Sequence, residues 1–447
     1  MRKTTTLVYC DRSDIGRRRT SNQDAKAVLP AESPPQYRSR GWLFLVADGM
    51  GAHAAGELAS SMAAEGVPKT YEEYSEFSPP LALRRSLERV NAAINKKGTR
   101  NANCHGMGTT CTALVLHPRG VLLGHVGDSR AYRVRGRVIE QLSRDHSLVW
   151  ELESAGGMSR EQAADAAPKN IITRSMGPHS QLDIDLEGPF PVEADDVFVL
   201  CSDGLSGIVG DEEIGLLAAE LQPQEAVAAL IGLALIRGAP DNVTVIAARA
   251  GQDEVSRKSR NDAPWPLSEE ATSSQRQGYQ AWVALAVAAV GLLVALIANP
   301  WSTLVANRAP ATQAICTALS LAGGLAAVGG GIFGMVSILT TGARGRLLHP
   351  GDVLGKGPYR RYDCTPSQPL VEGLVASLEG STEAISADDR ARTVPMLTRA
   401  RQHAAAGAFH EAVTAVAEAI AVHMAAIEGS RRDETTRSER PPEPSSD

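Results

Sequence analysis

Residues 4–250 alternate short apolar runs with clusters of turn residues, the pattern of one sizeable α+β domain. Strands are expected at Trp42–Ala47, Thr110–Leu116, Val121–Val126, Ala131–Val134, Val197–Cys201 and Val243–Ala248. Between them Leu83, Leu87, Val90 and Ile94 recur at helical spacing and predict an amphipathic helix. The alanine-rich stretch Ala54–Glu65 predicts a second helix. A third helical region over Leu148–Ala166 is interrupted at Gly156-Gly157.

The pattern changes after Ala250. Residues 251–278 carry charges, serines and prolines with almost no periodic apolar positions, and read as a linker. Ala281–Ala298 is an uninterrupted apolar run, close to the ~20 residues that cross ~30 Å of hydrocarbon. Tyr279, Trp282 and Trp301 stand at its edges, where amphipathic rings favour an interface. Ala314–Leu339 is a second charge-free run, whose Gly330 and Gly334 suit close helix contact in lipid. The expectation is a transmembrane helical hairpin over 279–341; the competing reading, a buried hairpin of a soluble domain, fits this length and lack of charge less well.

Residues 342–428 are expected to be a small, partly helical segment. ARQHAAAGAFHEAVTAVAEAI resembles a tetratricopeptide helix pair, but such arrays need at least ~3 repeats. Residues 429–447 are too charged to fold.

At 447 residues the chain has room for more than one domain. A formal charge of -6 without a basic surplus excludes nucleic-acid binding. Six scattered cysteines (Cys10, Cys104, Cys111, Cys201, Cys316, Cys364) form neither a CxxC pair nor a disulfide framework, and point to a reducing compartment. The N-terminal stretch lacks the apolar run of a signal peptide, so the first domain is expected in the cytoplasm.

The chemistry concentrates in four aspartates, each beside an apolar strand: Asp48 in LFLVADGMGAH, Asp128 in GHVGDSRAY, Asp203 in FVLCSDGLSG and Asp241 in APDNVTVI. One Asp-Gly after a strand is ordinarily a turn. Four such carboxylates gathered at one sheet edge would repel one another, and a hard cation with oxygen ligands resolves that conflict.

In order along the chain, SDIGRRRTSNQDA, VADGMGAH, GMGTTCTALVL, GHVGDSRAYRV, LSRDHSLV, ITRSMG, LCSDGL and DNVTVIAA resemble the motifs of the bacterial type 2C, metal-dependent serine/threonine protein phosphatases. The resemblance covers about residues 4–250. It implies a four-layer sandwich, two antiparallel sheets flanked by helices, with two Mn²⁺ or Mg²⁺ ions at one end. Asp48 matches the carboxylate that bridges both metals and the Gly49 carbonyl a second ligand. Asp203 and Asp241 match ligands of one metal. Asp128 matches the position of a weaker third metal, with a plain turn residue as its other reading. Arg19 matches the phosphate-binding arginine, a planar guanidinium able to grip two phosphate oxygens; its other reading is a solvated member of Arg17-Arg18-Arg19. Asp24 matches a residue that supports the metal-bound waters. Thr109, Thr110 and Asn242 match supporting positions.

Two positions depart from the family pattern. Gln23 stands where glutamate is usual, which weakens attraction to a cation, although an amide oxygen still accepts hydrogen bonds from bound water. Met50 follows the Asp-Gly where some members have a histidine, which leaves His53 as a candidate general acid and that role open. Cys10, Cys104, Cys111 and Cys201 lack the CxxxxxR loop of cysteine phosphatases.

The expected function is hydrolysis of phosphoserine and phosphothreonine by metal-activated water, on phosphorylated proteins that a serine/threonine kinase targets, from a two-span membrane protein with its catalytic domain in the cytoplasm. A catalytically weak phosphoprotein-binding scaffold is the alternative, motivated by Gln23 and Met50.

Overall fold

The computed structural model describes residues 6–438, apart from 52–53, 157, 169–170, 254, 257–261, 298–309, 341–345 and 383–384. Two compact units emerge. One is drawn from Met1–Ser75, Ala82–Ser259 and Gly351–Asp447, the other from Glu76–Leu81 and Arg260–Pro350.

The larger unit is built on two antiparallel sheets. The first holds β1 (Val8–Asp14), β7 (Arg130–Arg135), β8 (Val138–Gln141), β10 (Val197–Cys201), β11 (Val243–Arg249) and β14 (Arg360–Asp363), in the order β1-β11-β10-β7-β8-β14. The second runs β2-β3-β5-β6-β9, from β2 (Asp24–Leu29), β3 (Trp42–Met50), β5 (Cys111–His117), β6 (Gly120–Val126) and β9 (Asp185–Phe190), with β4 (Gly108–Thr109) paired to the end of β3.

Alternation along the strands decides what lies between the sheets. Phe44, Val46, Leu114, Leu116, Leu123, Phe198, Leu200, Ile246 and Ala248 meet in one buried cluster drawn from both sheets. The opposite face of the first sheet, including Val197, Val199 and Cys201, joins a separate core with α7 (Asp211–Glu220) and α8 (Pro223–Ile236). Strands buried on both faces read as continuous apolar runs, which is why FVLC and VTVIAA stand out in the sequence.

Helices α2 (Ala55–Glu73) and α3 (Pro79–Arg100) cover the second sheet: a Cβ placed on Gly124 of β6 would lie 2.8 Å from Leu87. Two short helices, α4 (Leu148–Ser154) and α5 (Arg160–Ala166), occupy the excursion between β8 and β9, beyond α1 (Pro34–Ser39) in chain order. The antiparallel two-sheet fold with flanking helices expected from the sequence is present. The strands β1, β2, β8, β9 and β14 were not anticipated.

The C-terminal segment belongs to this same unit. Helices α11 (Gln368–Ser381), α12 (Ala387–Ala405) and α13 (Phe409–Ser438) place Val371, Leu374, Leu378, Leu397, Val413, Val416 and Ile420 in the core that holds α8. Gly232 of α8 is so near that a Cβ there would sit 2.3 Å from Cγ2 of Ile420. Here a domain end at Ala250 differs from the structure. The apolar stripe of 364–424 finds its partner more than a hundred residues earlier in the chain, a pairing that local pattern does not reveal.

In the smaller unit α9 (Glu269–Ile297) and α10 (Pro310–Thr340) pack closely through glycine, a Cβ on Gly291 lying 2.7 Å from the Gly323 carbonyl oxygen. A two-stranded piece, β12 (Trp265–Pro266) with β13 (Leu347–Leu348), precedes and follows them. Trp265 and Leu267, inside the expected linker, are buried. Residues 299–309, with Trp301 and Arg308, and the residues Arg257, Lys258, Arg260 and Arg344 lie outside the described residues.

Candidate functional site

The site forms where ends of both sheets converge. Asp24 opens β2 and stands opposite Asp48 in the β2–β3 register. Strand β3 runs on through Asp48 to Met50, so Asp48 is a strand residue and not a turn residue. Its backbone is pinned: the Asp48 N–H donates to Thr110 Oγ1 at 2.8 Å, and Thr110 N–H and Thr109 Oγ1 donate to the Asp48 carbonyl at 2.8 and 3.0 Å. Asp203 begins α6 (Asp203–Ser206) directly after β10, Asp241 precedes β11, and Asp128 lies between β6 and β7.

The glycines beside two of these aspartates are packing requirements. A Cβ on Gly49 would approach the Gly56 carbonyl oxygen to 2.1 Å, and one on Gly204 would approach that of Asn242 to 1.9 Å.

Crowding and burial keep Asp24, Asp48, Asp128 and Asp203 reluctant to ionise. Burial pushes Asp48 well above the usual carboxylate range, and Asp24, Asp203 and Asp128 add to the shift. Asp128 is raised in the same way, by burial and then by Asp203 and Asp145. Burial lifts Asp24 to about 7, although the hydroxyls of Thr244 and Ser202 each donate to its Oδ2 at 2.7 Å. Asp203 is raised by burial and by Asp241. Arg19 supplies the compensating cation, its Nη2 donating to Asp241 Oδ2 at 2.7 Å.

A divalent cation suits this donor set. Oδ1 of Asp24, of Asp128 and of Asp203 are each buried without a hydrogen-bond partner, three acceptors left for something other than a protein N–H or O–H. All the donors are hard oxygens, the type Mg²⁺ and Mn²⁺ prefer. Among the described residues no three acidic, His or Cys side chains close into a ready-made ion shell.

The chain is similar to known proteins. The model of the family described as Protein phosphatase 2C matches residues 16–234. The serine/threonine phosphatase stp of Listeria monocytogenes is 33% identical over 240 residues, covering 53% of this chain and 92% of the relative. This chain belongs to the protein phosphatase 2C family. It is a metal-dependent serine/threonine protein phosphatase, a hydrolase. Protein phosphatase PhpP of Streptococcus pneumoniae is 34% identical over 242 residues, covering 52% of this chain and 93% of its own. Among solved structures, the PstP/Ppp phosphatase of Mycobacterium tuberculosis is 32% identical and covers 55% of this chain and 99% of its own, with a TM-score of 0.48. Another structure, the catalytic domain of PstP in complex with two manganese ions, is also 32% identical over 55% of this chain, with a TM-score of 0.47.

The structure of this type 2C phosphatase brings Arg19, Asp24, Asp48, Asp128, Asp203 and Asp241 to one end of the sandwich, with Gly49 next to Asp48. Asn242 staples the Arg19 loop to the sheet: its Nδ2 donates to the carbonyls of Ile15 and Ser21 at 2.9 and 3.0 Å, and its Oδ1 accepts from Gln23 N at 2.8 Å. His53 lies outside the described residues.

Two supports were not singled out from sequence. His146 accepts at Nδ1 from the Gly127 N–H at 3.0 Å, its backbone N–H donates to the Gly127 carbonyl at 2.7 Å, and its Nε2 pairs with Asp185 at 3.0 Å. It thereby fixes the turn that carries Asp128. Buried Arg130, two residues further on, forms a bidentate pair with Asp145. The signal available was position: Asp145 and His146 lie inside LSRDHSLV, polar residues beside a strand end.

Proposed function

We propose that this phosphatase acts on phosphoserine and phosphothreonine of proteins at a membrane surface, with Asp48, Asp203, Asp241 and the Gly49 carbonyl holding two Mn²⁺ or Mg²⁺ ions, and Asp128 a third. When bound, such ions supply Lewis-acid activation of water for attack at phosphorus. Asp24 would hold and order metal-bound water through its unpartnered oxygen. Arg19 stands at the half-exposed mouth with one of its donors on Asp241, and its fork binds the phosphoryl oxygens of the substrate. The Asn242 staple keeps that loop, and so the guanidinium, at a fixed distance from the carboxylates. The observation that carries the assignment is the set of orphaned oxygens on Asp24, Asp128 and Asp203.

The full-length protein, purified in detergent, should release phosphate from phosphoserine and phosphothreonine peptides with Mn²⁺ and stop when the metal is chelated. Peptide binding without Mn²⁺-dependent release would establish the scaffold alternative instead.

Membrane attachment is the second part of the proposal. Ala314–Phe333 forms a 20-residue segment with mean hydropathy 1.7, of which little is buried, and Trp282–Ile297 is a shorter apolar helix. Leu292, Leu293, Leu296, Leu321, Leu325, Val328 and Ile332 are each more than half exposed, a surface that favours lipid over water. Both chain ends are placed in the cytoplasm, since Arg276 and Arg346 flank the pair. Reporter fusions after Ala250 and after Arg346 should both report cytoplasm, and opposite signals would leave only one helix spanning.

A further inference from the structure

Residues 147–176 leave the sandwich and return to it at the candidate site. At the outgoing foot, His146 holds Gly127, the neighbour of Asp128, by both backbone and ring. At the returning foot, Met176 exchanges two backbone hydrogen bonds with Thr109, at 2.9 and 3.0 Å, and Thr109 pairs with Gly49. The feet are tied to each other, Leu148 N–H donating to the Ile171 carbonyl and Thr173 N–H to that of His146. The position of this excursion is therefore coupled to two candidate metal-holding positions.

What holds the excursion in place comes from the far end of the chain. Residues 354–363 form a strap across the sandwich. Leu354 exchanges backbone hydrogen bonds with Gly188, and the N–H groups of Lys356 and Gly357 both donate to Glu187 Oε2 at 2.9 Å. Tyr359 donates its hydroxyl to Glu187 Oε1 and its N–H to the Gln141 carbonyl, after which β14 adds to the sheet beside β8. Glu187 is 2% exposed, so its carboxylate is buried with three donors that all come from the strap.

From this anchored position the strap grips α4. The Arg360 guanidinium lies 3.9 Å from the centre of the Trp150 ring and pairs with Glu153 one turn later. The Tyr359 ring meets the same Trp150 edge-on, 6.1 Å between centres. Trp150 is buried, and its N–H is capped by Ser147, the residue after His146.

We infer that Tyr359 and Arg360 are positioning residues, which fix α4 and through it the His146–Gly127 contact and the excursion that returns to the site at Thr109. This inference rests on the phosphatase reading above. A strap drawn from outside the residues that match the family makes the C-terminal segment a support for the excursion and more than a covering for α8.

The test uses the full-length protein in detergent, with wild-type Mn²⁺-dependent hydrolysis of a phosphothreonine peptide as the check on the phosphatase reading itself. Given that activity, Arg360→Ala should raise KM for the peptide about 5- to 20-fold and raise the Mn²⁺ concentration for half-maximal rate, with kcat on p-nitrophenyl phosphate at saturating Mn²⁺ within about twofold of wild type. Arg360→Lys, which keeps the charge beside Glu153, should recover part of the loss. Unchanged KM and Mn²⁺ requirement in Arg360→Ala would overturn the inference. So would equal losses on both substrates that track a fall in melting temperature, the signature of a merely structural contact.

Discussion

Asp24 faces Asp48 across the β2–β3 ladder, and burial pushes both carboxyls toward the neutral form, the charge of Asp24 adding to the shift of Asp48 and the charges of Asp203 and Asp241 to that of Asp24. Carboxyls arranged in this way would stay ionised beside a bound cation. Asp48→Asn should therefore abolish turnover, as should Asp241→Asn, with excess Mn²⁺ restoring little. Wild-type activity of Asp48→Asn, in a preparation free of other phosphatases, would remove these carboxylates from the mechanism.

Arg19→Ala keeps the carboxylates and deletes the fork beside them. Hydrogen bonds to charged groups contribute about 1.5–3 kcal/mol, which corresponds to a roughly 10- to 200-fold fall in kcat/KM. The Mn²⁺ dependence should keep its midpoint. A shifted midpoint would mean that Arg19 acts on the metal positions through Asp241 and not on phosphate.

Gln23→Glu is expected to gain function in one respect. Gln23 lies between Asn22 and Asp24, its N–H held by Asn242 and its carbonyl accepting from Gly49 N–H and Ser60 Oγ, so its backbone place is fixed. A carboxylate added there should lower the Mn²⁺ concentration for half-maximal rate, read from a metal titration. An unchanged titration would mean that the side chain does not face the ions.

His117 predicts a pH dependence of stability. Burial pushes its imidazole down to about 4, and the neutral form is the one its contacts require, with Nε2–H on the Arg38 carbonyl and Nδ1 accepting from Arg119 N–H. The unfolded chain takes the proton first, near pH 6.5. Stability from this group is thus complete above that pH and is lost as pH falls toward about 4, on the order of 3 kcal/mol. Urea unfolding of wild type and His117→Gln at pH 7.5 and 4.5 should show a smaller acid loss in the variant; equal losses would contradict it.

Ile420 measures the attachment of the C-terminal helices. It is 1% exposed against Gly232 of α8, and Ile420→Ala should cost about 2–5 kcal/mol. The expected result is a lower melting temperature for the phosphatase unit itself. Melting of a separate C-terminal transition alone would show that these helices fold independently.

The sequence by itself determined the central strands, the helix over Leu83–Ile94, the two apolar segments and the aspartates, because each writes a local signature. A strand buried on both faces is a continuous apolar run, an amphipathic helix repeats every three to four residues, and the motif aspartates lie beside such runs. The tertiary structure alone decided the rest. Edge strands such as β1, β2 and β14 carry charged or polar residues, Asp11 and Arg12 in β1 and Arg360 and Arg361 in β14, so their pairing partner and not their composition makes them strands. His146 becomes a support of Asp128 only when β6 and the chain after β8 are side by side. The docking of residues 354–424 on the phosphatase sheets and on α8 depends on contacts between positions more than a hundred residues apart, where no periodicity in one segment records the face it will meet in the other.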